Sequence, residues 1–305
     1  MTKSLDRLVL LETFVRIAER GSISAAARDL GLSQPSASRQ LSELEGRLGA
    51  QLIRRTTHNL ALTPAGQDLL VEARQMLEGW DALVERHGRG PDDIKGRLKI
   101  VAPIALGQLH LTEIMLRFQI KHPDVSVVWE MEDRSIRFSE VGCDCWIKIG
   151  HVPDETLIVR PLATVERLVV GSKALAKRSP VNSIEELEQA PLIALSPFEG
   201  SRLTLSRGKG KARTVEPEVR IATNNIFAVH QAALLGVGYA VLPLWFVSDD
   251  LANGRLIDVL PEWRAPRLTV NVAYLPSRHQ PLRLRTFLDH LFSEISKLSG
   301  LSPVE

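Results

Sequence analysis

At 305 residues, 44% of them hydrophobic and 24% charged, the chain is long enough for two or three domains and too apolar for disorder. Its net charge of +2 permits a nucleic-acid partner without demanding one. There is no apolar run of about 18 residues to span a membrane, residues 1–14 lack a signal-peptide cleavage site, and two cysteines make no disulfide framework, so a reduced, cytoplasmic setting is expected.

Leu5 to Glu19 reads as a helix, with Leu8, Leu11, Val15 and Ala18 inward, Phe14 beside them and Gly21 ending it. Two further helical patterns follow, parted only by Gly31-Leu32-Ser33. In the first, Ser24 is the expected cap, and Ala25, Ala26, Ala27 and Leu30 form a small, packable face. Gly31 suits the left-handed residue after a helix; Ser33 then caps the second pattern, with Pro35 in its first turn, where a missing N–H costs nothing. At about 100° per residue, Ala37, Leu41, Leu44 and Leu48 share one stripe. The opposite side carries Pro35, Ser38, Arg39 and Ser42, with Gln34 at its edge. Such a short-chained, nearly acid-free face suits a helix in a DNA major groove. A solvated amphipathic helix is the plainer alternative. Residues 1–66 hold nine basic side chains against six acidic ones, a mild bias towards DNA.

After Gly49, residues 51–55 and 59–62 read as two short strands turning at Thr56-Thr57-His58. This is the wing of a winged helix-turn-helix, placing Arg54, Arg55 and His58 for backbone or minor-groove contacts, unless the arginines merely guard a solvated edge. Thr63 caps the next helix and Pro64 opens it. There Leu69, Ala73, Met76, Trp80 and Leu83 alternate at spacings of four and three, flanked by Leu70, Leu77 and Val84. That heptad seam predicts dimerisation, the alternative being a helix packed on its own globule; Gly88-Arg89-Gly90-Pro91 follows as a linker. The expected division is a DNA-binding domain over 1–63, a linker helix over 64–90 and an α/β domain over 91–305.

From Arg97 strands and helices alternate. Strands are expected at 98–101, 125–129, 144–149, 167–171, 192–194, 219–221, 239–242 and 268–274, and helices at 109–121, 226–235 and 282–298. The pattern implies mostly parallel sheets in two lobes, lobe I about 96–166 with 270–305 and lobe II about 167–269, joined by two crossings with a ligand cleft between them.

Residues 1–90 resemble the N-terminal half of a LysR-type transcriptional regulator. The likeness is carried by Phe14, Gly21-Ser22, Ala25-Ala26-Ala27, Leu30, Ser33-Gln34-Pro35-Ser36-Ala37-Ser38, Leu44-Glu45, Leu48-Gly49, Arg55 and Leu62-Thr63-Pro64-Ala65-Gly66. The remainder is similar, more loosely, to that family's effector domain, through Phe118 with His122-Pro123, Asp144 with residues 147–150, residues 232–238 before Leu242-Pro243, and Tyr274-Leu275-Pro276-Ser277-Arg278 with Pro281 and Phe287. The resemblance implies an α/β effector domain like type 2 periplasmic binding proteins. It implies base reading by Gln34, Pro35 and Ser38 within the Ser33–Ser38 block (Ser36 included), and phosphate contacts by Arg39 and Arg55. The implied partners are double-stranded promoter DNA, a small-molecule effector, a second and further copies in a dimer or tetramer, and RNA polymerase if the protein activates; no membrane and no cofactor is implied.

By the same resemblance, the effector cleft lies around Pro103, Ile104, Ala105 and Gly107 and near Asn224 and Asn225. Four positions depart from the family pattern: Ile104-Ala105 where Ser or Thr usually holds an anion, Trp146 where a small residue is common, and Lys148 where Arg is usual. An apolar cleft of this kind suits an aromatic or hydrophobic effector, or none, and Trp146 could instead fill the lobe core, while Asn224, Asn225 and the helix start after them could still accept an anionic group. Phe198 and Arg202 are placed to face the cleft from the other lobe.

Cys143 and Cys145 lack the further ligands zinc needs, and in an extended strand they would sit about 6.6 Å apart, near the limit for a disulfide. A thiol sensor is the weaker reading and buried cysteines the stronger. No catalytic motif is present, so no enzyme is expected. The basic run from Arg207 to Arg213 reads as a solvated loop rather than a second nucleic-acid contact. Two alternatives stay open: an effector-independent repressor, and a solute-binding protein.

Overall fold

Three helices begin the chain: α1 (Arg7–Arg20), α2 (Ile23–Asp29) and α3 (Gln34–Leu48). The computed structural model describes residues 6–55, 60–88, 94–198, 202–208, 210, 212–277 and 280–303. Gly21, Gly31 and Gly49 each take a left-handed φ of 59–65°, which ends one helix and re-aims the chain for the next. Ser33 caps α3 as expected, its Oγ accepting the Ser36 N–H at 3.2 Å. At α2 the cap is Ser22, not Ser24: Gly21 turns the chain so that the helix starts two residues earlier than the alanine pattern implies, and Ser22 is the extended residue that follows.

The core of this unit centres on Phe14, which is fully buried with Leu10, Ile17, Ala26, Ala37, Leu41 and Leu44. The face of α1 is therefore rotated from the expected one, and Leu11 and Ala18 only border the core. The ring of Phe14 removes the most apolar area from water, so burial is centred on it. Gln40, not Leu48, completes the inner face of α3. Its amide oxygen accepts from the buried Thr13 hydroxyl, whereas Leu48 is 50% exposed.

Strands β1 (Ile53–Arg55) and β2 (Leu60–Leu62) pair antiparallel with Ile53 opposite Leu62. The turn at Thr56-Thr57-His58 lies outside the described residues. Helix α4 (Pro64–Gly88) follows, capped by Thr63, whose Oγ1 accepts the Gly66 N–H at 3.0 Å and donates to the Gln51 carbonyl at 2.6 Å. A Cβ on Gly66 would lie 2.1 Å from the Leu52 carbonyl oxygen, so glycine is what lets α4 dock on the wing.

The second unit runs β3 (Gly96–Ala102), α5 (Ile104–Leu106), a π-helical turn (Gly107–Leu111), α6 (Thr112–Lys121), β4 (Val125–Met131), α7 (Phe138–Val141), β5 (Cys145–Ile149) and β6 (Ile158–Ser172). It continues through α8 (Lys173–Arg178), α9 (Ile184–Glu188), β7 (Pro191–Leu195), β8 (Leu203–Ser206), β9 (Ala212–Val215), β10 (Glu218–Thr223) and α10 (Ile226–Leu234). The last elements are β11 (Tyr239–Pro243), α11 (Leu244–Ala252), β12 (Leu256–Asp258), β13 (Ala265–Tyr274), α12 (Leu282–Ile295) and β14 (Leu301–Ser302).

One sheet of order β10-β7-β11-β6-β13-β5-β3-β4 joins both strand groups. Pairing is parallel within β3, β4 and β5 and within β7, β10 and β11. The long β6 and β13 are antiparallel to each other and to their neighbours. The expectation of mostly parallel sheets is thus corrected at the centre, for a topological reason. A chain that crosses from one group to the other on β6 and returns on β13 runs in opposite directions on the two strands. Helices α6 and α12 cover the first group, with Phe118 and Phe287 at the centre of the core there. Ser206 and Ala212, which close the β8–β9 hairpin, bracket most of the basic run read as a loop. Arg207 and Arg213 there pair with Glu262 and Glu185, while Lys209 and Lys211 lie outside the described residues. Among the described residues, no helix is long and apolar enough to cross a membrane.

Candidate nucleic-acid interface and interlobe cleft

The capped start of α3 leaves Ser33, Gln34, Pro35, Arg39 and Ser42 exposed and Ser36 and Ser38 half-buried, over a buried stripe of Ala37, Gln40, Leu41 and Leu44. Three carboxylates near this helix are engaged elsewhere. Glu45 turns inward, its Oε1 accepting the Leu52 and Ile53 N–H groups at 2.8 and 3.2 Å, which ties the helix to the wing. Glu43 pairs with Arg47 and Asp29 with Arg20. The outer face of the first two turns therefore presents hydroxyl, amide and guanidinium groups and no acid. Arg54 is exposed on β1 beside it, Arg55 follows on the same strand, and His58 lies outside the described residues. Sequence reasoning missed Glu45 as an anchor, because its partners lie seven and eight residues away, across the Gly49 turn.

Along α4 the heptad row divides. Ala73 is fully buried in the chain's own core and Leu69 is half-buried against it, while Met76, Trp80 and Leu83 are 58%, 50% and 43% exposed. The expectation that Ala73 serves a second copy is corrected, because the first three turns of α4 pack on α1 and the wing. Beyond them the apolar row faces outward.

Between the two strand groups lies a narrow cleft enclosing about 770 Å³ of non-protein space, its open mouth included. Pro103, Ala105, Lys148, Phe198 and Asn224 line it, as expected. Ile104 is not among its lining residues, though its N–H donates to Asp133 Oδ1, which is, at 2.9 Å. Four further expected residues are elsewhere. Trp146 is 1% exposed and packs with Val101, Phe138 and Leu157, since side chains alternate along a strand and Ile147, not Trp146, shares the cleft face. Gly107 is buried away from the cleft lining, with Met131 against it. Arg202 is exposed and paired with Glu216 at 2.7 Å. Asn225 is occupied as the cap of α10, its Oδ1 accepting the Ala228 N–H at 3.1 Å.

The cleft also holds residues that sequence reasoning missed: Glu132, Asp133, Arg167 and Trp245. Arg167 is buried, its Nε donating to the Pro266 carbonyl at 3.0 Å. Trp245 is the second residue of α11, two residues after Pro243 and just past the Leu242-Pro243 signal near which the strand was expected to stop, and is 4% exposed against the edge of His110. Burial pushes the Lys148 ammonium below its usual range, and the charge of Asp133 opposes that shift.

The two units meet at Glu19 of α1, which faces Arg74 of α4 at 3.5 Å and also contacts Arg97 of β3. Arg283 of α12 donates to the Arg97 carbonyl at 2.8 Å and approaches Asp81 of α4 at 3.5 Å. Both cysteines are buried and free. Burial pushes the Cys143 thiol up to about 12 and the Cys145 thiol well above its usual range, so both stay protonated near neutral pH. The native protein is expected to leave both thiols unreacted with a disulfide reagent at pH 8 until denaturant is added; rapid native labelling at either would contradict this.

Residues 8–67 match the family model described as bacterial regulatory helix-turn-helix protein, lysR family, and residues 91–295 match LysR substrate binding domain. The probable HTH-type transcriptional regulator LtrA of Klebsiella pneumoniae is 30% identical over 301 residues, 97% of each chain. The HTH-type transcriptional regulator PtxR of Pseudomonas aeruginosa is 31% identical over 304 residues, again 97% of each. In fold, the chain is similar to a full-length OxyR variant from Pseudomonas aeruginosa, with a TM-score of 0.71 at 18% identity over 99% of both chains.

Proposed function

The chain belongs to the LysR-type family of transcriptional regulators, and from that premise we propose that it reads promoter DNA through the outer face of α3 and answers to a small molecule in the interlobe cleft. The observation that carries the reading is the acid-free, capped and exposed start of α3, whose neighbouring carboxylates are already paired. Gln34, Pro35 and Ser38 meet base edges, with Ser33, Ser36 and Ser42 beside them, and Arg39, Arg54 and Arg55 hold phosphates. The protein works in the cytoplasm as a homo-oligomer, and RNA polymerase is its partner at any promoter it activates. A ligand between the strand groups shifts their relative angle and with it the geometry of the bound promoter.

DNA titrations over a range of salt test the interface. Gln34→Ala and Ser38→Ala are each expected to weaken the preferred site by about 1–3 kcal/mol and to relax its sequence preference. Arg39→Ala is expected to weaken all sequences alike and to reduce the salt slope by about one. Equal weakening of random and preferred DNA by Gln34→Ala would remove the base-reading role.

The exposed Met76, Trp80 and Leu83 supply the seam for a second copy of α4. Trp80→Glu places a charge in that seam and is expected to lower the mass measured by light scattering to that of the monomer. An unchanged mass would refute the seam.

A further inference from the structure

We propose that the interlobe cleft selects an uncharged, largely apolar ligand bearing a hydrogen-bond acceptor, with the Trp245 indole N–H as its donor and Asp133 as the group that turns anions away. The inference rests on the reading of this cleft as the effector site.

Three observations converge on it. The walls are apolar, formed by Ile147, Ile149, Val165, Leu195 and Ile226. Their charged companions balance, with Glu132 and Asp133 against Lys148 and Arg167, so the lining carries no net charge to offset the hydration a charged ligand gives up. Second, one seat an anion could take is filled. The helical run from Ile104 to Lys121 opens beside the cleft, and Asp133 Oδ1 already accepts its Ile104 N–H at 2.9 Å. Burial raises the Asp133 carboxyl above its usual range while the Ile104 N–H opposes that, so a second carboxylate placed alongside would add repulsion to an already costly ionised form. Third, the Trp245 Nε1–H is buried with no hydrogen-bond partner among the described residues. A buried donor without an acceptor is unfavourable, and it discriminates strongly in favour of a ligand that satisfies it.

The test uses the full chain and three ring-matched probes, 2-naphthamide, 2-naphthoate and 2-naphthylmethylammonium, with binding read by ligand-observed NMR and calorimetry. The amide is expected to bind about tenfold or more tightly than either charged probe. Asp133→Asn keeps an acceptor for the Ile104 N–H but removes the charge. It is expected to improve naphthoate binding by about tenfold and leave the amide within about threefold. Trp245→Phe is expected to weaken the amide by about tenfold, with folding checked by circular dichroism. Tightest wild-type binding of a charged probe, or an amide indifferent to Trp245→Phe, would overturn the inference and leave the cleft as the effector site. No saturable binding of any probe to wild type or Asp133→Asn would overturn both.

Discussion

Phe14→Ala is expected to destabilise the helix-turn-helix unit by about 3–5 kcal/mol. Phe14 is fully buried at the centre of a core built from residues 10–73, where Leu10, Ile17, Ala26, Ala37 and Leu41 surround it. Alanine would leave a cavity that three short helices and a two-stranded wing have little neighbouring mass to fill. A unit of this size has a total stability of roughly the same order, so the substitution is expected to unfold it at growth temperature. The core around Phe118 and Phe287 lies in the other unit and shares no residue with it. Calorimetry is expected to show the lower transition lost and the upper one retained, together with complete loss of DNA binding. A lower transition that persisted at its wild-type temperature would mean that Phe14 does not organise this core.

Trp146→Ala is expected to cost about 3–5 kcal/mol in the α/β unit, while the conservative Trp146→Phe leaves affinity for a cleft ligand within about twofold. The reasoning is positional. On β5, Ile147 faces the cleft, and Trp146, one residue earlier, faces the other side, filling a separate cluster with Val101, Phe138, Val152 and Leu157. Lys148 follows on the same strand with its Nζ over the indole, 5.2 Å from the centroid, and also lines the cleft. Thermal denaturation and ligand titration of the two variants separate packing from binding. A large loss of affinity in Trp146→Phe at unchanged melting temperature would return the residue to the cleft.

The departures from sequence-based expectation share a cause with these two cases. The outward residues of α3 were legible because a helix of fixed period, started by Ser33 and Pro35 and stopped by Gly49, leaves one face once Ala37, Leu41 and Leu44 are assigned inward. Leu48 broke the pattern because the core ends before the helix does. Along α4 the apolar spacing was read correctly, but spacing cannot say where the chain's own core stops using it. Ala73 proved to be inside and Met76 outside. In the cleft, Asn224 and Asn225 looked equivalent in sequence. One lines the cavity and the other spends its side chain capping α10.

The amino-acid sequence alone determined the helix-turn-helix and its outward face, the wing, the long fourth helix and the strand–helix alternation of the remainder. Each depends on forces acting within one or two turns of chain: caps, left-handed glycines, prolines at first turns and apolar period. Only the tertiary structure decided that one sheet joins both strand groups, the antiparallel crossing of β6 and β13, and the lining of the cleft. That lining is assembled from segments near 103–106, 132–133, 147–149, 165–167, 195–198, 224–226, 241–245 and 268, so it depends on packing between residues far apart in sequence. Local pattern carries no term for that packing. Asp133 meeting Ile104 and the lone Trp245 N–H are features of the folded chain, and the chemistry of the ligand is decided there.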